Sequence, residues 1–153
     1  MKKRTLFPFL ASAAIFILAA PCLAGSVGVN KALFASSIET FGIYEETGNR
    51  YKSGSTAPIY LEVVDFMLAE ANGTYSLDLS IDLSVIDSSG KEVGRQSDML
   101  AWEKTFKSKV NDVYFTLNVT FGGWPPGKYT LVVTVKDNMA RTFNPVKMPV
   151  EIF

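Results

Sequence analysis

Two carboxylates in one alternating segment are the first candidates for chemistry, because pairs of acidic side chains can act as general acid and base. Asp78 and Asp82 lie four residues apart on the same side of a period-two pattern. A strand rises about 3.4 Å per residue, so the two carboxylates are separated by roughly 14 Å. Glycosidase pairs need about 5–10 Å. The spacing therefore predicts a polar face in contact with solvent rather than an acid–base pair.

The residue types that are missing exclude further classes of catalysis. The sequence contains no histidine, and its single cysteine, Cys22, lies close to the N-terminus. Imidazole and thiolate chemistry are therefore excluded from the remainder of the chain, both for nucleophilic catalysis and for metal binding. No glycine-rich phosphate loop precedes a helical pattern. We expect no catalytic residues, no metal site and no cofactor, so that an enzyme using Glu, Asp or Tyr is only the third hypothesis.

The best candidate for recognition is an aromatic residue in a loop framed by glycine and proline. Trp124 lies within Gly122–Gly127, where an indole can stack on a sugar ring or anchor a protein partner. The alternative is that the indole folds back and caps the end of a β-sandwich. Further candidate binding residues are Asn138 and Arg141, in a turn farther along the chain, and Tyr44.

Alternating apolar and polar residues predict the strands that position these side chains. The segment Tyr75–Asp87 is the clearest strand. The segments around the Gly122–Gly127 loop predict two more, and the last strand is placed at an edge by Pro145 and Pro149, which cannot donate to a ladder. The expected inward side chains are Tyr75, Leu77, Leu79, Ile81, Leu83, Val85, Val113, Phe115, Leu117, Val119, Phe121, Tyr129, Leu131, Val133, Val135, Val146, Met148, Val150 and Ile152.

The pattern as a whole predicts an all-β fold, a two-sheet antiparallel sandwich of about seven to nine strands. The sandwich is expected to be preceded by an N-terminal signal helix, and no helix longer than two turns is expected after it. Leu68–Gly73 is predicted as a loop or a short helical turn, and Lys91–Gly94 and Met99–Phe106 as two separate short strands.

One segment carries a resemblance to a known fold family. Pro125–Asp137, with the sequence PPGKYTLVVTVKD, is similar to the penultimate strand of many bacterial immunoglobulin-like and fibronectin-III-like domains. The resemblance implies that Gly127 belongs to the turn and that Tyr129 takes the tyrosine-corner role, its hydroxyl tying the turn to the end of the sandwich. Other segments look like parts of exported bacterial proteins that share this sandwich: Phe41–Glu45, Tyr51–Gly54, Tyr60–Val63 and Phe115–Thr120. No activity and no catalytic residue comes with the resemblance.

The N-terminus predicts export. Residues 1–24 combine a basic start, a short apolar run and a small-residue exit, which is typical of a secretory signal peptide. The apolar run is shorter than the roughly 20 residues that span a bilayer. Two alternatives are an uncleaved membrane anchor and a lipoprotein acylated on Cys22. Residues 25–36 are expected to form a leader, a linker or a first edge strand, and residues 37–153 the β-sandwich domain.

Cleavage after Ala24 leaves a formal charge of −3, which is too small and of the wrong sign for nucleic acid or an anionic membrane. We therefore expect a periplasmic or secreted, non-enzymatic binding module that recognises a protein of the bacterial envelope through an edge strand or end loops. The alternative is a carbohydrate-binding module in which Trp124, Tyr44 or Tyr60 stacks on sugar rings.

Overall fold

The computed structural model describes residues 26–153; the predicted signal peptide and Cys22 lie outside this range. All regular structure within it is β-strand, and none of it forms a helix that could cross a membrane. The ten strands are β1 (Gly28–Thr40), β2 (Ile43–Glu46), β3 (Arg50–Tyr51), β4 (Thr56–Val64), β5 (Ala69–Ala71), β6 (Thr74–Asp87), β7 (Glu92–Phe106), β8 (Asp112–Thr120), β9 (Gly127–Asp137) and β10 (Thr142–Ile152).

The strands form two sheets, as predicted. The first has the order β2-β1-β4-β8, and the second runs β3-β10-β9-β6-β7, with the short β5 beside the start of β6. All pairings are antiparallel except one: β3 pairs parallel with β10 through Arg50 opposite Glu151 and Tyr51 opposite Ile152. The all-β, two-sheet prediction is confirmed, whereas the purely antiparallel description is wrong at β3. Ten strands replace the expected seven to nine because β3 and β5 have only two and three residues.

The core is built from the alternating side chains that the sequence indicates. Every second residue of β6, β8 and β9 points inward, and the expected inward residues of these strands are buried except Tyr75 and Tyr129, which are half-buried. Along β10 the last three expected residues are buried and Val146 is half-buried. Burial of each large apolar side chain stabilises the fold by about 1.5–3 kcal/mol, so this pattern is sufficient to hold the two sheets together.

The predicted loop at Leu68–Gly73 is instead a tight hairpin between β5 and β6. Asn72 and Gly73 both have positive φ, at 51° and 72°. Two consecutive left-handed residues define the type I′ turn that an Asn-Gly pair favours, because its twist matches that of the flanking strands. The short length of β5 hid this hairpin, although the dipeptide itself was a sufficient signal.

The two short strands expected at Lys91–Gly94 and Met99–Phe106 are one strand, β7, interrupted by a bulge. The bulge is stabilised at Asp98, whose φ is 48°. Its backbone N–H donates to Asp82 Oδ1 at 2.7 Å, and Lys136 Nζ lies 2.8 Å from Asp82 Oδ1 and 2.7 Å from Asp98 Oδ1. Burial alone would raise the pKa of Asp82, but Lys136 and the Asp98 N–H lower it below its ordinary value.

The expected boundary between residues 36 and 37 does not exist, because β1 runs through it without interruption. The first half of β1 pairs with β4, and the second half pairs with β2. Val27, just before β1, is fully buried, and Asn144 Nδ2 donates to its carbonyl at 3.1 Å. Of the alternatives expected for residues 25–36, the described part has the form of a first strand, which continues past residue 36.

Candidate functional site

The indole of Trp124 folds back onto the end of the sandwich. Its ring centroid lies 5.1 Å from that of Phe121 and 5.1 Å from that of Tyr129, and the residue is half-buried. The loop is fixed from the neighbouring turn, since Ser53 Oγ donates to the Trp124 carbonyl at 3.0 Å. Two alternatives were expected for Trp124: an exposed recognition residue or a cap on the end of the sandwich. The indole occupies the capping position, and the half-buried residue keeps part of its surface accessible.

Tyr129 makes the contact that the resemblance implied for it. Its hydroxyl donates to the Pro125 carbonyl, four residues upstream, at 2.9 Å. Gly127 does not act as the turn glycine: it opens β9 opposite Ile152, and a Cβ placed there would lie 3.7 Å from the Tyr129 ring in ordinary contact. The left-handed residue of this loop is Gly123, with φ of 74°, so the backbone requirement for glycine falls there.

Two cavities flank Trp124. The first has a volume of about 390 Å³ and is lined by Val85, Val93, Gly94, Pro125 and Tyr129 among others. The second, which we call the β7–β8 groove, has a volume of about 230 Å³. The groove is lined by Leu83, Val85, Gly94, Arg95, Gln96, Met99, Asn118, Val119, Thr120 and Trp124. Trp124 therefore borders both openings, and in the β7–β8 groove apolar side chains alternate with polar ones such as Gln96, Asn118 and Thr120.

The structure separates Asn138 and Arg141 from Trp124. Both lie in the β9–β10 turn, at the opposite end of the 11-residue strand β9, and strands rise about 3.3 Å per residue. Asn138 is also engaged, because its Nδ2 donates to Asp78 Oδ1 at 2.7 Å and its backbone N–H to the Asp78 carbonyl at 3.0 Å. Arg141 is exposed, with φ of 56°. One small ligand cannot contact this turn and Trp124 together.

Sequence analysis missed Asp137, which organises that turn. Its carboxylate is 1% exposed. Oδ1 accepts hydrogen bonds from the N–H groups of Met139 at 3.0 Å and Ala140 at 2.9 Å, and Oδ2 accepts from the Met67 N–H at 2.6 Å. A buried carboxylate that accepts several amides replaces the water it has lost. The sequence feature that could have identified Asp137 is its position at the end of an alternating strand, directly before Asn138.

Tyr44 and Tyr60 belong to an aromatic cluster on the outer face of the first sheet. The ring centroids of Tyr44 and Tyr60 are 4.5 Å apart, those of Tyr60 and Tyr114 are 5.8 Å apart, and Phe41 packs against Tyr114. Tyr60 is fully buried, so it cannot be the sugar-stacking platform that was proposed for it. The Tyr44 hydroxyl accepts a hydrogen bond from Lys31 Nζ at 2.7 Å, which raises the pKa of Lys31.

The long edges of the two sheets differ in their protection against further strand pairing. On β10, the N–H of Glu151 bonds Asn49 on the side away from β9, so the odd-numbered residues present their backbone groups outward. Pro145 and Pro149 occupy two of these positions and have no N–H to offer. β7 carries a bulge and charged residues, and β2 has four residues ending in two glutamates.

The edge of β8 carries none of these protections. The N–H of Phe121 bonds the Ser55 carbonyl on the β4 side, so odd-numbered residues of β8 pair with β4 and even-numbered ones present N–H and C=O outward. Within residues 26–153, β4 is the only strand that pairs with β8. The outward positions are neutral: Tyr114, Thr116, Asn118 and Thr120.

The two sheets also differ in width beside this edge. Val27 contacts Thr142 and Asn144, which places β1 against β10. Counted from β1 and β10, the first sheet has two further strands on this side, β4 and β8, and the second sheet has three, β9, β6 and β7. Trp102 of β7 packs edge-on against Phe115 of β8 at 5.3 Å, and nearer Trp124 the two strands enclose the β7–β8 groove. The sandwich therefore has an open side bordered by a free strand edge.

Comparison with known proteins yields no family for this chain. No family model and no curated protein matches it. The sporulation control protein Spo0M of Bacillus subtilis aligns at 13% identity and a TM-score of 0.40 over 84% of this chain, which spans about half (49%) of Spo0M.

Two further structures align over most of both chains. The structural genomics target SoR45 shows 12% identity and a TM-score of 0.35, covering 86% of this chain and 84% of that one. The superoxide reductase (neelaredoxin) of Ignicoccus hospitalis shows 13% identity and a TM-score of 0.31, covering 82% of each chain. At these values the alignments carry no argument about function, and what is concluded for this chain rests on its own residues.

Proposed function

We propose that this protein is an exported, non-enzymatic binding module with an immunoglobulin-like sandwich, which recognises a protein partner in the bacterial envelope or outside the cell. The N-terminal sequence of residues 1–24 supports export. The carboxylates that could have served catalysis have structural partners: Asp82 is paired with Lys136, and Asp137 accepts three backbone amides. The same chain has a strand edge that lacks partners within the described residues, and recognition is the use that this edge supports best.

The observation that carries the proposal is the β8 edge. An exposed strand edge without charge, proline or bulge is a ready template for pairing with another chain. The protein protects its other long edges in recognisable ways, with prolines on β10 and a bulge on β7. Beyond the charged Asp112 at its start, β8 is neutral, without proline or bulge, and an edge left in this state is a feature that a binding function explains.

Site-specific photo-crosslinking tests the proposal. A photoreactive amino acid replaces Asn118 on the β8 edge in one variant and Lys147 on the protected β10 edge in a matched control, and both are produced and irradiated in native host cells. We expect the Asn118 position to give a discrete protein adduct in at least about tenfold higher yield, since pairing places the two chains within contact distance. Equal adducts at both positions would contradict recognition through this edge.

The carbohydrate alternative keeps one observation in its favour. The 390 Å³ cavity beside Trp124 is bordered by the Tyr129 ring and by Asp87, and aromatic rings with a nearby carboxylate suit a sugar. Asp87, however, already accepts hydrogen bonds from Ser89 and Lys91 in its own turn. If the ligand is a glycan, no discrete protein adduct forms at either crosslinking position, which separates the two functions in one experiment.

A further inference from the structure

We infer that the partner contributes a single extended segment, which pairs with β8 as an additional strand of the first sheet and lies opposite β7. This inference rests on the proposed function and specifies the kind of partner. The segment is neutral, about five to seven residues long, and alternates apolar and polar side chains.

The backbone of β8 defines the pairing. Thr116, Asn118 and Thr120 present N–H and C=O groups away from β4, in the alternation that a further strand requires. Each hydrogen bond formed there replaces bonds to water and therefore adds only a small net contribution to binding. Pairing along the β8 edge therefore supplies a modest, sequence-tolerant affinity, and side chains must supply the specificity.

The width of the open side selects a single strand over a second copy of the sandwich. Because the second sheet has one more strand on this side than the first, a single strand added to β8 makes the two sheets equal in width, whereas a second copy of the sandwich would add several strands to one sheet. Stable homodimers bury about 1,200–2,000 Å² or more, which a contact restricted to one edge does not reach. A lone strand fits beside β8, and its inward side chains then enter the β7–β8 groove, which has a volume of about 230 Å³.

The charges around the groove indicate a neutral segment. Arg95, at its rim, is paired with Glu92 at 2.6 Å. On the outer face of the second sheet, Lys136 of β9 pairs with both Asp82 of β6 and Asp98 of β7. The inner lining of Leu83, Val85, Met99, Val119 and Trp124 is apolar. A charged side chain entering the groove would lose water without gaining an opposite charge, whereas valine- or leucine-sized side chains would bury apolar surface.

The inference is tested by titrating the mature protein with a fluorescent synthetic peptide that alternates threonine and valine between terminal lysines. We expect saturable binding below about 1 mM. The peptide N-methylated on the amides of one alternate set should lose at least about tenfold in affinity, and the same peptide methylated on the other set should not, because only one set faces β8.

Matched proline variants locate the binding site. Asn118→Pro removes an outward N–H of β8 and should weaken peptide binding at least about tenfold, whereas Lys147→Pro removes the equivalent N–H of the β10 edge and should leave binding within about twofold. No binding up to about 1 mM, or equal loss with both variants, would overturn strand addition. A protein adduct at Asn118 in the crosslinking experiment with no binding here would leave the recognition function standing and reject only the added strand.

Discussion

Replacement of Tyr60 by alanine is expected to lower the free energy of unfolding by about 4 kcal/mol, within the range for loss of a buried aromatic side chain. The ring is fully buried between those of Tyr44 and Tyr114. Its hydroxyl accepts a hydrogen bond from the Gly42 N–H at 3.0 Å and donates to Glu62 at 3.2 Å. Urea unfolding followed by circular dichroism measures the loss.

The matched control is Thr116→Ala, the outward neighbour directly opposite Tyr60 on β8. That exposed side chain should change stability by less than about 0.5 kcal/mol. A Tyr60→Ala variant as stable as this control would show that the outer aromatic cluster is not packed as described, and would restore Tyr60 as a residue available to a ligand.

Ionisation of Tyr60 makes the free energy of unfolding depend on pH in the alkaline range. Burial is the main cause that raises the pKa of Tyr60 above its ordinary value of 10.0, and the Glu62 carboxylate adds to it, while the Gly42 N–H opposes it. Folding therefore favours the neutral phenol. Its contribution is complete below pH 10 and is lost as pH rises through the raised pKa. Tyr60→Phe should flatten part of this decline. Tyr51, whose pKa burial also raises, and the lysines Lys31 and Lys136, whose pKa values are raised by their hydrogen-bond partners, contribute to the remainder.

Replacement of Asp137 by alanine is expected to cost about 3 kcal/mol, because three backbone N–H groups lose their acceptor in a largely buried place. These groups belong to Met67, Met139 and Ala140, so the substitution disconnects the β4–β5 loop from the β9–β10 turn. Asp137→Asn retains one carbonyl oxygen, and should cost about 2 kcal/mol because its amide nitrogen cannot accept the remaining bonds.

Asp112, an exposed residue at the start of β8, is the control position for the Asp137→Asn substitution. Asp112→Asn removes the same charge from the surface and should change the unfolding free energy by less than about 0.5 kcal/mol. If the two asparagine variants lost equal stability, the effect would be one of net charge, and the role assigned to the Asp137 carboxylate in joining the two loops would be wrong.

Period-two alternation was sufficient to predict the sheets, because burial of one face of a strand leaves a direct trace in the sequence. The side chains of β6, β8 and β9 point as their residue types require. Short strands are harder to predict from a sequence. The Asn72-Gly73 turn was sufficient to predict β5. In contrast, β3 has two residues and pairs parallel with β10, about a hundred positions away in the chain. Such a pairing depends on how the sheets close, which no local pattern encodes.

The sequence predicted individual residues of the candidate site but not how they are arranged in space. The position of Trp124 in a glycine- and proline-framed loop marked one end of the sandwich, but its packing on Phe121 and Tyr129 depends on the neighbouring turn at Ser53. The free edge of β8 was hidden, since alternation shows which face of a strand is buried and not which strand lies beside it. Strand order, and with it the open side opposite β7, required the three-dimensional structure.

Residue-specific amide hydrogen exchange in β8, measured by NMR on the protein without a partner, shows directly whether the β8 edge is free. The account predicts alternation: the N–H groups of Phe115, Leu117 and Val119 are held by β4 and exchange at least about a hundredfold more slowly than those of Thr116 and Asn118. Equal and strong protection along the whole strand would contradict it, because the edge would then already be paired and closed to any partner.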